Sequence, residues 1–125
     1  CDRPNGLAFS RDEKMLYVAD SGYSARNMKV YDVSDDGRLR NGRVVAPCTA
    51  GRFDGFRLDE DGRLWSATED GVHCHDPDGT LIGRINFPES LSNVVFGGPK
   101  RNRLFVTGAT SVYCIWLTVN GLKTF

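Results

Sequence analysis

Three short polar groups head three apolar runs in this chain. Asn5-Gly6 precedes Leu7-Ala8-Phe9, Asp54-Gly55 precedes Phe56-Arg57-Leu58, and Asn93 precedes Val94-Val95-Phe96. A carboxylate can bind a cation or take a proton, whereas an amide can only bind. Asn-Gly ordinarily marks a tight hairpin turn, yet no strand is legible before Asn5. Asp54 is one of five Asp-Gly pairs, which as a class read as turns. Its distinction is register, because it opens a run in step with Asn5. A second candidate is His73-Cys74-His75, where strand alternation puts both imidazoles on one face, as a zinc site would need. Packing is the better reading there, since the run is the third strand of a repeat. Asp20-Ser21, closing the run Leu16–Ala19, reads as a turn.

The elements that must position these groups are short and β-rich. Runs at 6–10, 15–19, 29–33, 43–47, 55–59, 63–67, 71–75, 80–85, 93–97, 103–107 and 111–117 are separated by Gly-rich turns. That pattern predicts an all-β, mostly antiparallel fold. The runs repeat: after each polar anchor a turn leads to Leu16-Tyr17-Val18, Leu64-Trp65-Ser66 or Leu104-Phe105-Val106, and a third strand follows. The period matches the ~40–50 residues of a four-stranded propeller blade. The chain therefore reads as about three four-stranded blades in one partial propeller domain, with repeats near 1–50, 51–90 and 91–125. Inner strands line the axis of a propeller, which would place Asn5, Asp54 and Asn93 around it. Tyr17, Trp65 and Phe105 occupy equivalent places and are expected to pack blade against blade. Three blades close no ring, and Cys1 rather than Met at the start places further blades upstream.

Bulk composition excludes some classes. Lys plus Arg and Asp plus Glu number 16 each, so no net field favours nucleic acid or an anionic membrane. The short cluster Lys100-Arg101-Asn102-Arg103 reads as a solvated loop. No apolar run is long enough for a membrane helix. Four cysteines, at 1, 48, 74 and 114, form no CxxC pair and are read as free thiols, which leans towards a reducing, cytoplasmic setting.

Taken in order, RPNGLAFS…LYVADS, DGRLRNGRVVA, FDGFRLDEDGRLWSA…GVHCHDPDGTLIGRI and SNVVFGG…LFVTGATSVYCIWL resemble the C-terminal half of the gluconolactonase/SMP-30 (regucalcin) family. The resemblance implies half of a six-bladed β-propeller that hydrolyses a sugar lactone or related ester with one divalent metal in its channel. It also implies Asn5 and Asp54 as metal ligands, the third ligand being a Glu outside this chain. Asp54 would double as the catalytic base. Asn93 lacks the following Gly and is expected to cap its loop. Phe53 stands where the family usually carries Pro, which removes a φ restraint next to Asp54. The hard oxygen donors favour Ca²⁺, with Mg²⁺, Mn²⁺ or Zn²⁺ as alternatives. The implied partner is a small lactone. A rival of another class is a non-catalytic propeller module for binding or assembly. Open propeller edges make self-association a further expectation.

Overall fold

The computed structural model describes residues 1–123, which form eleven strands and no α-helix. β1 (Pro4–Phe9), β2 (Met15–Asp20), β3 (Asn27–Val33) and β4 (Leu39–Pro47) make one antiparallel meander. β5 (Phe56–Leu58), β6 (Leu64–Ala67), β7 (Gly71–His75) and β8 (Leu81–Asn86) make a second. β9 (Leu91–Gly97), β10 (Arg103–Gly108) and β11 (Val112–Trp116) make a third. Each sheet runs in sequence order from an inner strand outwards, and β1, β5 and β9 neighbour one another in turn. These are three blades of a partial propeller. The third differs from the four-stranded expectation, because only three strands pair in it among the described residues.

Strand alternation explains how the blades stick together. Side chains on one face of each sheet meet the next sheet. Tyr17, Ala19, Met28, Val30 and Ala46 of the first blade pack with Phe53, Phe56, Leu58 and Leu64 of the second. Ala67 and Val72 of the second pack with Leu91, Val94, Leu104 and Val106 of the third. Tyr17 and Trp65 fill these seams as expected, and Trp65 meets Phe96 edge to face at 6.2 Å. Phe105 points to the other side of its sheet, where its ring covers Gly97.

The alternate residues face outwards. On β1, Ala8 packs inwards while Leu7 and Phe9 are exposed. On β11, Tyr113 and Ile115 pack inwards while Val112 and Trp116 are exposed. Both flanks of the three-blade stack are therefore apolar and unpartnered within the described residues.

The basic cluster at 100–103 is a solvated loop only in part, since Lys100 is exposed while Arg101 and Arg103 are engaged. Arg101 donates from Nε to the Gly121 carbonyl at 3.0 Å and pairs with Glu60 at 3.2 Å. Gly121 bridges to Asp59, so Arg101 ties the segment after β11 back to the β5–β6 turn. Arg103 lies over the Trp116 ring at 4.1 Å. The four cysteines are free, as expected.

Phe53 and Phe56 are the largest fully buried side chains, and Phe53 is seated between the first two blades with its ring edge to face with His75 at 5.5 Å. Phe53→Ala is expected to cost about 3–5 kcal/mol by leaving a cavity in that seam. Urea unfolding of the two proteins side by side checks this, and a loss below about 1 kcal/mol would mean that the seam collapses around the gap.

Candidate functional site

Two of the inner strands, β1 and β9, slip register near their starts. In β1, Pro4 faces Asp20 but Leu7 faces Val18, so three residues span two on the partner strand and Asn5-Gly6 form a bulge. In β9, Asn93 faces Thr107 but Leu91 faces Gly108, which puts the bulge at Ser92. In the second blade, Asp54 N–H donates to the Ala67 carbonyl at 3.0 Å, and Ala67 N–H donates to the Gly55 carbonyl at 2.9 Å. Bulges re-aim side chains at the rims of barrels and beside active sites. The Asn-Gly of the sequence is thus a bulge on an inner strand rather than a hairpin turn.

The glycines after Asn5 and Asp54 are required by their neighbours. A Cβ on Gly6 would lie 2.6 Å from the Asp54 carbonyl oxygen. A Cβ on Gly55 would collide with the Asn93 amide and Cα. Successive inner strands therefore approach through glycine, and the polar residue just before each glycine is carried to the rim.

Asn5 and Asp54 line one cavity of about 410 Å³, together with Arg3, Pro4, Ser21, Arg52, Glu69, Ser90 and Leu91. Neither the Asn5 amide nor the Asp54 carboxylate is engaged by another described side chain, so both oxygens are open to that space. Asn93 is not among the lining residues, and it lies inside β9 rather than capping a loop, with its Oδ1 accepting the Val94 N–H at 2.9 Å. His73 and His75 are buried away from the cavity. His73 Nε2 bonds Asp70 Oδ1 at 2.7 Å, and burial pushes the His75 imidazole down to about 4. Among the described residues no three His, Cys, Asp or Glu gather closely enough to hold a metal ion by themselves. The hard donor pair of Asn5 and Asp54 fits a divalent cation in part, as two oxygens on one wall that leave coordination positions open.

Two residues read as a turn in the sequence turn out to position both donors. Asp20 is fully buried and accepts the N–H groups of Asp2 and Arg3, each at 2.8 Å, and that of Gly22 at 3.3 Å. Lys29 Nζ pairs with it at 2.8 Å. Burial alone would raise its pKa, but the Lys29 ammonium and the backbone donors hold the Asp20 carboxyl far below the usual carboxylate range. Ser21 N–H donates to the Arg3 carbonyl at 2.9 Å, while Ser21 Oγ donates to the Phe53 carbonyl at 2.6 Å. Asp20-Ser21 thus fastens the strand carrying Asn5 to the loop carrying Asp54. Phe53 supplies by side-chain anchoring what a proline φ restraint would supply locally. No repeat marks Arg3, Arg52, Glu69, Ser90 or Leu91 in the sequence as lining residues.

Residues 1–110 match the family model described as SMP-30/Gluconolactonase/LRE-like region. The chain is 37% identical over 112 residues to a pentonolactonase of Haloferax volcanii, covering 85% of this chain and 38% of that protein. It is 37% identical over 120 residues to a gluconolactonase of Zymomonas mobilis, covering 88% and 33%. A solved gluconolactonase from Xanthomonas campestris superposes with a TM-score of 0.87 at 38% identity, covering 94% of this chain and 38% of that one. The chain thus spans between a third and two fifths of the length of these relatives.

The buried groups set an acid response with two stages. His75 has a folded pKa of about 4 against an ordinary 6.5, so its stabilisation is whole above 6.5 and is lost as pH falls towards 4. Asp20 is depressed from 3.8, so its stabilisation is whole above that value and is lost below it. Equilibrium unfolding against pH is expected to show both losses, with His75→Phe flattening only the upper one. Asp20→Ala is expected to cost about 3 kcal/mol at pH 7, because Lys29 and the Asp2 and Arg3 amides lose their partner. An unchanged midpoint in that variant would remove Asp20 from the positioning of Asn5.

Proposed function

Because the chain belongs to the SMP-30/Gluconolactonase/LRE-like family, we propose that its cavity is part of the active site of a metal-assisted sugar-lactone hydrolase. One observation carries most of the weight: Asn5 and Asp54, far apart in the sequence, line the same cavity, Asn5 from β1 and Asp54 from the loop that enters β5. Relatives named pentonolactonase and gluconolactonase, each 37% identical, support the same chemistry.

Asn5 Oδ1 and the Asp54 carboxylate would hold the cation, and their hardness favours Ca²⁺ over thiophilic metals. When bound, a divalent ion supplies Lewis acidity, polarising a lactone carbonyl and acidifying a nearby water. Asp54 takes the proton of the attacking water as its oxygen bonds to the carbonyl carbon. The ring C–O bond then breaks as the carbonyl re-forms, and the ring oxygen takes that proton back from Asp54, giving the open hydroxy acid. Asn5 cannot accept a proton and only binds. Ser21 acts through Phe53, keeping the Asp54 loop in place. The apolar flanks at Leu7 and Phe9 and at Val112 and Trp116 fit further blades of the whole protein.

In the whole protein, Asp54→Ala is expected to abolish saturable binding of Ca²⁺, Mn²⁺ and Zn²⁺ in calorimetry. It should also lower lactone hydrolysis by about 10²–10⁴-fold. Undiminished metal binding in that variant would displace Asp54 from the site, and metal binding without hydrolysis of any lactone would favour a binding module. A chain of this length on its own is expected to self-associate through its flanks in sedimentation. A strict monomer would argue against flank-driven assembly.

A further inference from the structure

On the basis of that same hydrolase assignment, we infer that Arg3 and Arg52 select a lactone bearing a second, ionised carboxylate, the monolactone of a sugar diacid. The cavity wall carries two guanidiniums, Arg3 and Arg52, against two carboxylates, Asp54 and Glu69. Its formal charge balances before any cation enters. A divalent ion on Asn5 and Asp54 would add two positive charges, of which the Glu that the family resemblance places outside this chain would offset one, and a neutral sugar lactone cannot offset the other. An extra anionic group on the substrate offsets it in a partly enclosed, lower-dielectric space.

The two arginines are placed for this. Arg3 makes no ion pair with any described residue. Its backbone is pinned on both sides, by its N–H to Asp20 at 2.8 Å and its carbonyl to Ser21 at 2.9 Å. Its guanidinium lies over the Tyr23 ring at 4.9 Å, which orients the group without neutralising it. Arg52 reaches Glu69 only at 4.0 Å, with both side chains about half exposed. Such a contact is worth little and can be exchanged for a ligand anion.

The surrounding backbone favours carboxylate over phosphate. Phosphate sites draw on free backbone N–H groups. Here the N–H groups of Arg3, Ser21, Asp54, Glu69 and Leu91 are already donated within the protein. Those of Arg52 and Ser90 are not, but they come from two separate loops and form no run of successive donors, whereas each planar guanidinium fork matches the two oxygens of a carboxylate. The cavity, at about 410 Å³, falls within the ~300–1,000 Å³ usual for small-molecule sites.

The test uses the whole protein with saturating Ca²⁺ or Mn²⁺ and compares glucono-lactone, the monolactone of the six-carbon sugar diacid, and a 6-phosphorylated gluconolactone. The diacid lactone is expected to have at least a tenfold higher kcat/KM than the neutral one. That ratio should fall at least tenfold in the double variant Arg3→Gln/Arg52→Gln, chiefly through KM. Arg38→Gln, in an exposed turn, should leave the ratio alone. Calorimetry with the open-chain diacid gives a second readout, with binding expected in the wild type and lost in the double variant. A wild type preferring the neutral lactone, a ratio unmoved by the double variant, or a stronger arginine-dependent preference for the phosphorylated lactone overturns the inference. If no lactone is hydrolysed, the hydrolase assignment fails, while arginine-dependent diacid binding would still uphold the anion site and its absence would still refute it.

Discussion

The arrangement depends on how closely the inner strands approach one another. Gly6 sits against the Asp54 carbonyl, and Gly55 sits against Asn93. A side chain at Gly6 would push the first blade off the second, opening the seam that buries Phe53 and Phe56, and one at Gly55 would push the second off the third, opening the seam that buries Leu91 and Val94. The same approach brings the residues before the glycines to a shared rim. Packing and site geometry thus come from one constraint. This accounts for a polar residue followed by glycine at the head of an inner strand, a place where glycine costs backbone entropy.

Around that approach the protein uses few polar contacts, and those are buried. Asp20 would be a liability in the seam without Lys29 and three backbone donors. With them it becomes a fixed point for the chain entering β1. Ser21, next in sequence, reaches across to the Phe53 carbonyl. Phe53 holds its loop from beneath through His75, kept neutral by burial. The Ser21 hydroxyl thus joins the first blade to the Asp54 loop, while the Asp20–Lys29 pair braces the first blade and the Phe53–His75 contact ties the loop to the second. Rigid support of this kind is what a pair of ligands on facing strands needs to keep its geometry.

Much of the fold was legible because propeller blades write themselves into sequence as period-two apolar runs with Asp-Gly turns. The alignment of Asn5 with Asp54 was legible for the same reason: equivalent positions of a repeat occupy equivalent places around an axis. The bulges were not, since a one-residue slip depends on what the partner strand presents. Arg3, Arg52 and Glu69 reach the cavity from loops whose course no periodicity encodes. The cluster at 100–103 reads as a solvated loop because it is short and lies in a turn between strands, whereas Arg101 has carbonyl and carboxylate partners on two segments distant in sequence. Asp20 looked like an ordinary turn residue because its partners, Lys29 and the Asp2 and Arg3 amides, come together only when three strands pair.

The central claim is that the rim formed by Asn5 and Asp54 holds the catalytic cation. Anomalous diffraction from crystals of the whole protein grown with Mn²⁺ tests it most directly. The account predicts one strong peak in the channel within about 2.0–2.6 Å of Asn5 Oδ1 and an Asp54 carboxylate oxygen. A peak at His73 and His75 instead, or a well-ordered Asn5–Asp54 rim with no peak at saturating Mn²⁺, would contradict it.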